Sequence, residues 1–315
     1  MVVLKFLKSR ERPVVIDGVR RETVRFNAGD SFIVGHLYRP MDGQRAAKHP
    51  AAVVGGSLTS VKEQMSGIYA LALAKRGVMA LAIDYRNYGA SCGEPRQFED
   101  PDQKVDDLVA AVTYLEQRKD VDAQRISLLG VCTSGGTVLY GAARDRRVRA
   151  VATVAGWFAE PDVAPLLYGG EEGVAERRAA GEAARAEYER SGENKIILAY
   201  HNEDQSASHV GPMEYYMDKT RGGGVAEWRN EFAVMSWGPW LDFNPVAEAQ
   251  NVSAYALIIH SGGSALPDQA RKVFDLLKGT KTLHWAEGDH FSFYDHHDKV
   301  ADAADRVAEH FRRTR

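Results

Sequence analysis

One stretch of this chain constrains its fold more than any other. A short apolar strand, Ile126-Ser-Leu-Leu-Gly130, runs straight into Val-Cys132-Thr-Ser-Gly-Gly136, and small residues (Thr137, Gly141, Ala142, Ala143) follow as a helix. Gly130 and Ser134, two before and two after the cysteine, leave room for a tight strand–turn–helix reversal. Such a turn lifts the side chain at its apex to the carboxyl edge of a sheet. The helix N-terminus beside that apex favours thiolate over thiol. The same geometry aims the backbone N–H of Thr133 at a developing oxyanion. The pattern predicts Cys132 as a nucleophile. The bland alternative, one more buried small residue, is common for free cysteine and is weaker here because strand, glycine spacing and helix coincide.

The rest of the chain alternates strand and helix. Thr-Val-Arg-Phe and Phe-Ile-Val-Gly-His-Leu-Tyr, between Glu22 and Tyr38, read as two early strands. Further strands are expected at residues 50–56, 78–84, 126–130, 148–155, 254–260 and 281–285, with helices at 68–75, 105–117, 268–277 and 301–311. Continuous apolar strands separated by helices predict an α/β fold with a mostly parallel sheet covered on both faces. Between Ala155 and Ala254 the character changes. A Glu/Ala/Arg-rich stretch (171–189) predicts a largely solvated helix, and Met213-Glu-Tyr-Tyr-Met217, Trp228, Trp237 and Trp240 follow. Residues 157–251 are therefore expected as an inserted lid, with 1–156 and 252–315 forming the core.

Composition excludes several function classes. Lys plus Arg is 40 against 43 Asp plus Glu, a net charge of -3, which leaves no electrostatic footprint for nucleic acid. No apolar run reaches the ~20 residues of a membrane helix, and Lys5 and Lys8 interrupt the N-terminal apolar stretch, which makes it a poor signal peptide. Two cysteines form no disulfide framework. A cytoplasmic enzyme is the expectation. No P-loop or dinucleotide fingerprint is present, so no cofactor is expected, and no histidine pair has zinc-site spacing, so neither is a metal.

A second site carries the letters of a nucleophile turn, Gly89-Ala-Ser91-Cys-Gly93, but loop residues separate it from its strand and Glu94-Pro95 follows instead of a helix. Ser91 and Cys92 are read as loop residues. A nucleophile needs a base, and His290, in Gly288-Asp-His290-Phe after the last strand, stands where a loop would return a side chain to the sheet's active edge. His296 and His297 read as the start of a solvent-facing helix. The acid that would orient His290 is unassigned: Ser264 sits at the expected place, and Asp268, Glu160 or Asp162 are the carboxylates able to substitute.

With these residues in hand, the chain resembles a dienelactone-hydrolase-like branch of the α/β-hydrolase superfamily. Val61-Lys-Glu-Gln64, Asp84-Tyr-Arg-Asn-Tyr-Gly89-Ala-Ser91, Gly93-Glu-Pro-Arg96, Val105-Asp-Asp107, the elbow with its double glycine, Asp145-Arg-Arg-Val148 and His290-Phe-Ser-Phe-Tyr-Asp295 carry the likeness. The branch includes bacterial hydrolases of unsettled substrate and fungal polyketide transferases and thiohydrolases. The resemblance implies an α/β-hydrolase fold and an acyl-transfer site with Cys132 as nucleophile and His290 as base. It implies an oxyanion hole from the N–H of Thr133 and the loop at Ser57-Leu58. Two departures lie near that site: Ser264 replaces the usual aspartate, and Gly56-Ser-Leu-Thr59 replaces His-Pro-Gly-Gly.

The leading expectation is a cysteine-nucleophile hydrolase or acyltransferase cleaving an ester, thioester or lactone through an acyl-enzyme. Trp157 and Tyr215 are expected to contact substrate, with Tyr216, Trp237 and Trp240 as further candidates. The expected partner is a mid-sized, partly hydrophobic acyl compound, with a homodimer left open. Two alternatives remain, a cyclase or lyase acting on a natural-product intermediate and a non-catalytic small-molecule binder.

Overall fold

A computed structural model describes residues 12–41 and 48–313. The N-terminal stretch weighed above as a signal peptide lies outside them. Numbering the sheet strands and longer helices in chain order, the strands are β1 (Val14–Ile16), β2 (Val19–Ala28), β3 (Ser31–Pro40), β4 (His49–Gly55), β5 (Met79–Asp84), β6 (Val121–Val131), β7 (Val148–Val154), β8 (Tyr255–Gly263) and β9 (Lys281–Asp289). The helices are α1 (Met65–Ala74), α2 (Pro101–Glu116), α3 (Thr133–Arg144), α4 (Gly170–Ser191), α5 (Pro267–Leu276) and α6 (His297–Arg313).

The nine strands form one sheet in the order β1-β2-β3-β5-β4-β6-β7-β8-β9. The first three and the β3–β5 pair are antiparallel, and every pair from β5 to β9 is parallel. Alternate side chains of the central strands feed two cores, as a sheet buried on both faces requires. Ala52, Val54, Ala80, Ala82 and Leu129 face α1 and α6, through Tyr69, Leu73, Val307 and Phe311. Ala51, Val53, Leu81, Ile83 and Leu128 face α2, α3 and α5, through Leu108, Val112, Val138, Leu139 and Val273.

From β4 the chain winds first to β5 on one side and then returns to β6 on the other. The loops leaving β4 and β6 therefore part at a topological switch point, where open α/β sheets form a crevice beyond the carboxyl ends of their strands. Backbone strain collects at that edge. Thr59, Asn87, Cys132, Ala155 and Leu266, which follow β4 to β8 in turn, all have positive φ without being glycine. Such conformations persist where surrounding structure over-determines them.

Between β7 and β8 the chain leaves the sheet. Its α4 helix buries only Gly173, Gly181 and Ala184, consistent with the charge-rich pattern that marked it. Two short ladders follow, Ile196–Ile197 with Phe232–Ala233 and Tyr200–His201 with His209–Val210. Their aromatic side chains merge with the core on the α1 and α6 face. Among the described residues no helix is long and apolar enough to cross a membrane.

Candidate active site

Cys132 sits at the apex between β6 and α3 with φ 56° and ψ −120°. Its backbone is pinned on both sides: its N–H donates to the Val154 carbonyl at 3.1 Å, and its carbonyl accepts from Gly135 and Trp157, each at 2.8 Å. Gly130 is required here because a Cβ would overlap the Ser134 carbonyl. Ser134, the other small residue, ties α3 to the neighbouring strand by donating to the Gly56 carbonyl at 2.5 Å and accepting from Tyr85 at 2.9 Å.

His290, just past β9, places its Nε2 3.4 Å from the Cys132 sulfur and 3.1 Å from the Tyr294 hydroxyl. The sequence pair is thus brought together. The oxyanion residues are also adjacent, but not as expected: the N–H of Leu58 donates to the Thr133 hydroxyl at 2.9 Å and is already committed. That leaves the Thr133 hydroxyl proton free to point at Cys132, 3.7 Å away.

Among the described residues no carboxylate hydrogen-bonds His290. Its Nδ1 accepts the backbone N–H of Ala265 at 3.2 Å. Ser264 turns away, its Oγ 2.9 Å from that of Ser261, which donates to the Gly288 carbonyl at 2.7 Å. Glu160 binds Gln269 at 2.7 Å and Lys272 at 2.6 Å, and Asp162 and Asp268 are exposed. None of the three substitutes reaches the imidazole.

Burial pushes the Cys132 thiol up, against opposing hydrogen bonds from Tyr294 and Thr133. Desolvation of the charged form thus works against the thiolate that the helix N-terminus is expected to favour. Burial also holds His290 down at about 3, with His260 nearby adding to the effect and Asp289 opposing it. The pair is a neutral thiol beside a neutral imidazole.

Both side chains open into a cavity of about 270 Å³. Trp157, Tyr200, Tyr216, Trp240, Met213 and Phe291 stand in its wall, and among the described residues no Asp, Glu, Lys or Arg lines it. Trp157 is where the sequence placed it. Tyr215 is not: it is packed against Phe291, Tyr294 and the Arg221 guanidinium, 1% exposed. Its neighbour Tyr216 faces the cavity instead, because successive residues of the Glu214–Met217 turn point about 100° apart. Trp237 also lies behind the wall, against Tyr168 and Phe232.

Residues 49–303 match the alpha/beta hydrolase family. The chain belongs to that family. The chain is 40% identical over 121 residues to an uncharacterized protein of Pseudomonas aeruginosa, PA2218, covering 38% of this chain and 32% of that one. It is 37% identical over 143 residues to the thiohydrolase aneE of Aspergillus aculeatus, covering 43% and 45%. It is 25% identical over 288 residues to the polyketide transferase claH of Penicillium crustosum, covering 86% and 90%. The match thus spans less than half the length of the first two relatives. The crystal structure of the P. aeruginosa protein superposes with a TM-score of 0.82 at 24% identity, over 100% of this chain and 99% of that one. Dienelactone hydrolase from Anabaena variabilis superposes with 0.56 at 16%, over 94% and 99%. These likenesses show the fold.

In this alpha/beta hydrolase the loop after β4 is shaped by aromatic residues of the segment between β7 and β8. Tyr200 donates to the Leu58 carbonyl at 2.9 Å, the Tyr216 hydroxyl lies 2.5 Å from Ser57 Oγ, and Trp228 Nε1 donates to Thr59 at 3.3 Å. Tyr200 and Tyr216 stack at 3.8 Å. Tyr294 was legible in principle, four residues beyond His290 and so one helical turn away. Tyr200 carried no sequence signal, since only tertiary folding places it.

The second Gly-x-Ser-x-Gly letters prove structural. Ser91 Oγ accepts from the Val34 N–H at 2.8 Å and donates to the Asp84 carbonyl at 2.6 Å, which fixes the loop after β5. Cys92 is exposed.

Proposed function

We propose that this hydrolase transfers or cleaves an acyl group through a covalent intermediate on Cys132, from a neutral, largely apolar ester, thioester or lactone. The observation that carries the reading is the apex geometry: a strained cysteine whose sulfur lies 3.4 Å from His290 Nε2, at the mouth of α3 and open to the cavity. The Thr133 N–H, at the start of α3 and beside the Cys132 sulfur, is the donor that would hold the oxyanion, a contribution of about 10²–10³ in rate for one donor. The relatives named thiohydrolase and polyketide transferase support the same type of chemistry.

The substrate class follows from the wall. A wall rich in aromatic faces, with no Asp, Glu, Lys or Arg in it among the described residues, favours a neutral acyl group over one bearing a carboxylate, whose charge would meet no cation there. Residues 157–251 act as the lid that supplies those faces. Release of p-nitrophenol from neutral and carboxylate-bearing activated esters tests this. Turnover of the neutral esters is expected to be lost in Cys132→Ala and kept in Cys92→Ala, with the charged esters slower by at least tenfold. Equal turnover by Cys132→Ala would overturn the covalent mechanism.

A further inference from the structure

We infer that the backbone amide of Ala265 locks His290 with its proton on Nε2, so that the imidazole is a hydrogen-bond donor to Cys132 and not the acceptor of its proton. The site then takes acyl donors whose leaving group departs as a stabilised anion, a thiolate or phenolate, in preference to alkyl esters. The inference rests on the acyl-transfer reading above and specifies its proton path.

A backbone N–H can only donate, so the ring nitrogen that faces it presents a lone pair. A neutral imidazole carries one N–H, which therefore sits on Nε2 and points at Cys132 and Tyr294. Charging the ring would set an Nδ1–H against the Ala265 N–H. The loop that holds this amide is braced. The Ala265 carbonyl accepts from Nε2 of His260, a fully buried side chain, at 3.1 Å, and Ser264 N–H donates to the Ser261 carbonyl at 3.3 Å. Leu266, next in the chain, is held at φ 54°.

The groups around the ring leave this assignment standing. Cys132 and Tyr294 face Nε2, and His260 lies behind Ala265. Asp289 adds a negative charge, but its carboxylate accepts the Ser292 N–H at 2.8 Å and is not among the ring's hydrogen-bond partners in the described residues. From the segment between β7 and β8 come the neutral hydroxyls of Tyr200 and Tyr216, and Lys104 acts weakly on Cys132.

The steps balance without a base on the protein. Cys132 loses its proton to solvent, and the thiolate accepts from His290 Nε2–H and Tyr294. Sulfur attacks the carbonyl carbon, a C–S bond forms, and the π pair moves to oxygen, held by the Thr133 N–H. Collapse breaks the bond to the leaving group, which keeps the pair and later takes a proton from water. A thiolate or phenolate leaves unaided. An alkoxide needs a proton as it leaves, and a neutral imidazole supplies one only by becoming an imidazolate. Hydroxide or an anionic acceptor, rather than neutral water, resolves the acyl-enzyme for the same reason.

The test follows the rate of acyl-adduct formation on the full chain by intact mass, from about pH 5 to about pH 10, with S-phenyl thiobutyrate and ethyl butyrate. With the thioester the rate is expected to climb about tenfold per pH unit, with no break near the ordinary histidine value of ~6.5. The thioester should be favoured by at least ~10²-fold. His290→Gln, which keeps an N–H donor, should recover most of what His290→Ala loses. A plateau above about pH 7, with His290→Gln as impaired as His290→Ala by the ~10²–10⁴-fold of a lost base, would overturn the inference and leave acyl transfer standing. Equal rates on the two donors would overturn the leaving-group preference. No adduct with either donor at any pH would overturn the acyl-transfer reading itself.

Discussion

Thr133 does two things at one position. Its backbone N–H stands at the start of α3 beside the Cys132 sulfur, and its hydroxyl accepts from the Leu58 amide at 2.9 Å and lies 3.7 Å from that sulfur. Thr133→Val keeps the amide and the shape but removes the hydroxyl. We expect kcat/KM on an activated thioester to fall by about 10- to 100-fold, with Thr133→Ser near wild type. An unchanged Thr133→Val would show that the amide alone carries the oxyanion. At this scale the sequence exposed Cys132, His290 and Thr133, because turn geometry is written in local glycine spacing. It misassigned Leu58 and Tyr215 and missed Tyr200 and Tyr294, because side-chain direction and partners across the molecule leave no local trace. The absent acid was visible as Ser264. What replaces it, a main-chain amide, could not be read from any side-chain pattern.

The β6–α3 element depends on close approach rather than on burial. Gly130 packs where a Cβ would overlap the Ser134 carbonyl, and Gly135 lies against the Gly156 Cα, 2.7 Å from where its own Cβ would stand. Gly130→Ala forces backbone, not a flexible side chain, to move, so a loss of about 2–4 kcal/mol is expected in urea unfolding. A change below ~1 kcal/mol would mean that the turn is looser than described. Most elements were legible because the two periodicities are distinct: alternate core faces on strands, and apolar positions three and four apart on α2 and α6. The ends were less so. β9 runs on to Asp289 and β6 starts at Val121, across a register shift between His49 and Ala51 on β4. β1 went unread although Asp17-Gly18, both at positive φ, is a hairpin signal between apolar residues.

Across the whole molecule, several motifs behind the family resemblance prove to be braces. Asp84 holds the loops after β4 and β5 together, accepting from Lys62 N–H at 2.7 Å, Lys62 Nζ at 2.8 Å and Ala90 N–H at 2.8 Å. Asp107 accepts from Arg86 N–H and Nε, each at 2.8 Å. The fold also buries neutral histidines: burial holds His36 and His290 down at about 3 and His209 and His260 at about 4. Unfolding restores their ordinary value of ~6.5, so between about pH 6.5 and 4 the unfolded chain binds more protons than the folded one. Stability is complete above ~6.5 and is lost as pH falls, by at most ~1.4 kcal/mol per pH unit per histidine. Thermal unfolding should show Tm dropping over that window, and a flat Tm would contradict neutral burial. Whether Cys132 takes the acyl group is decided by peptide-mapped mass spectrometry of the full chain after brief mixing with an activated thioester. One acyl addition is expected, on the peptide holding Cys132, present in Cys92→Ala and absent in Cys132→Ala. An adduct that persists in Cys132→Ala, or turnover of that donor with no adduct on Cys132, would contradict it.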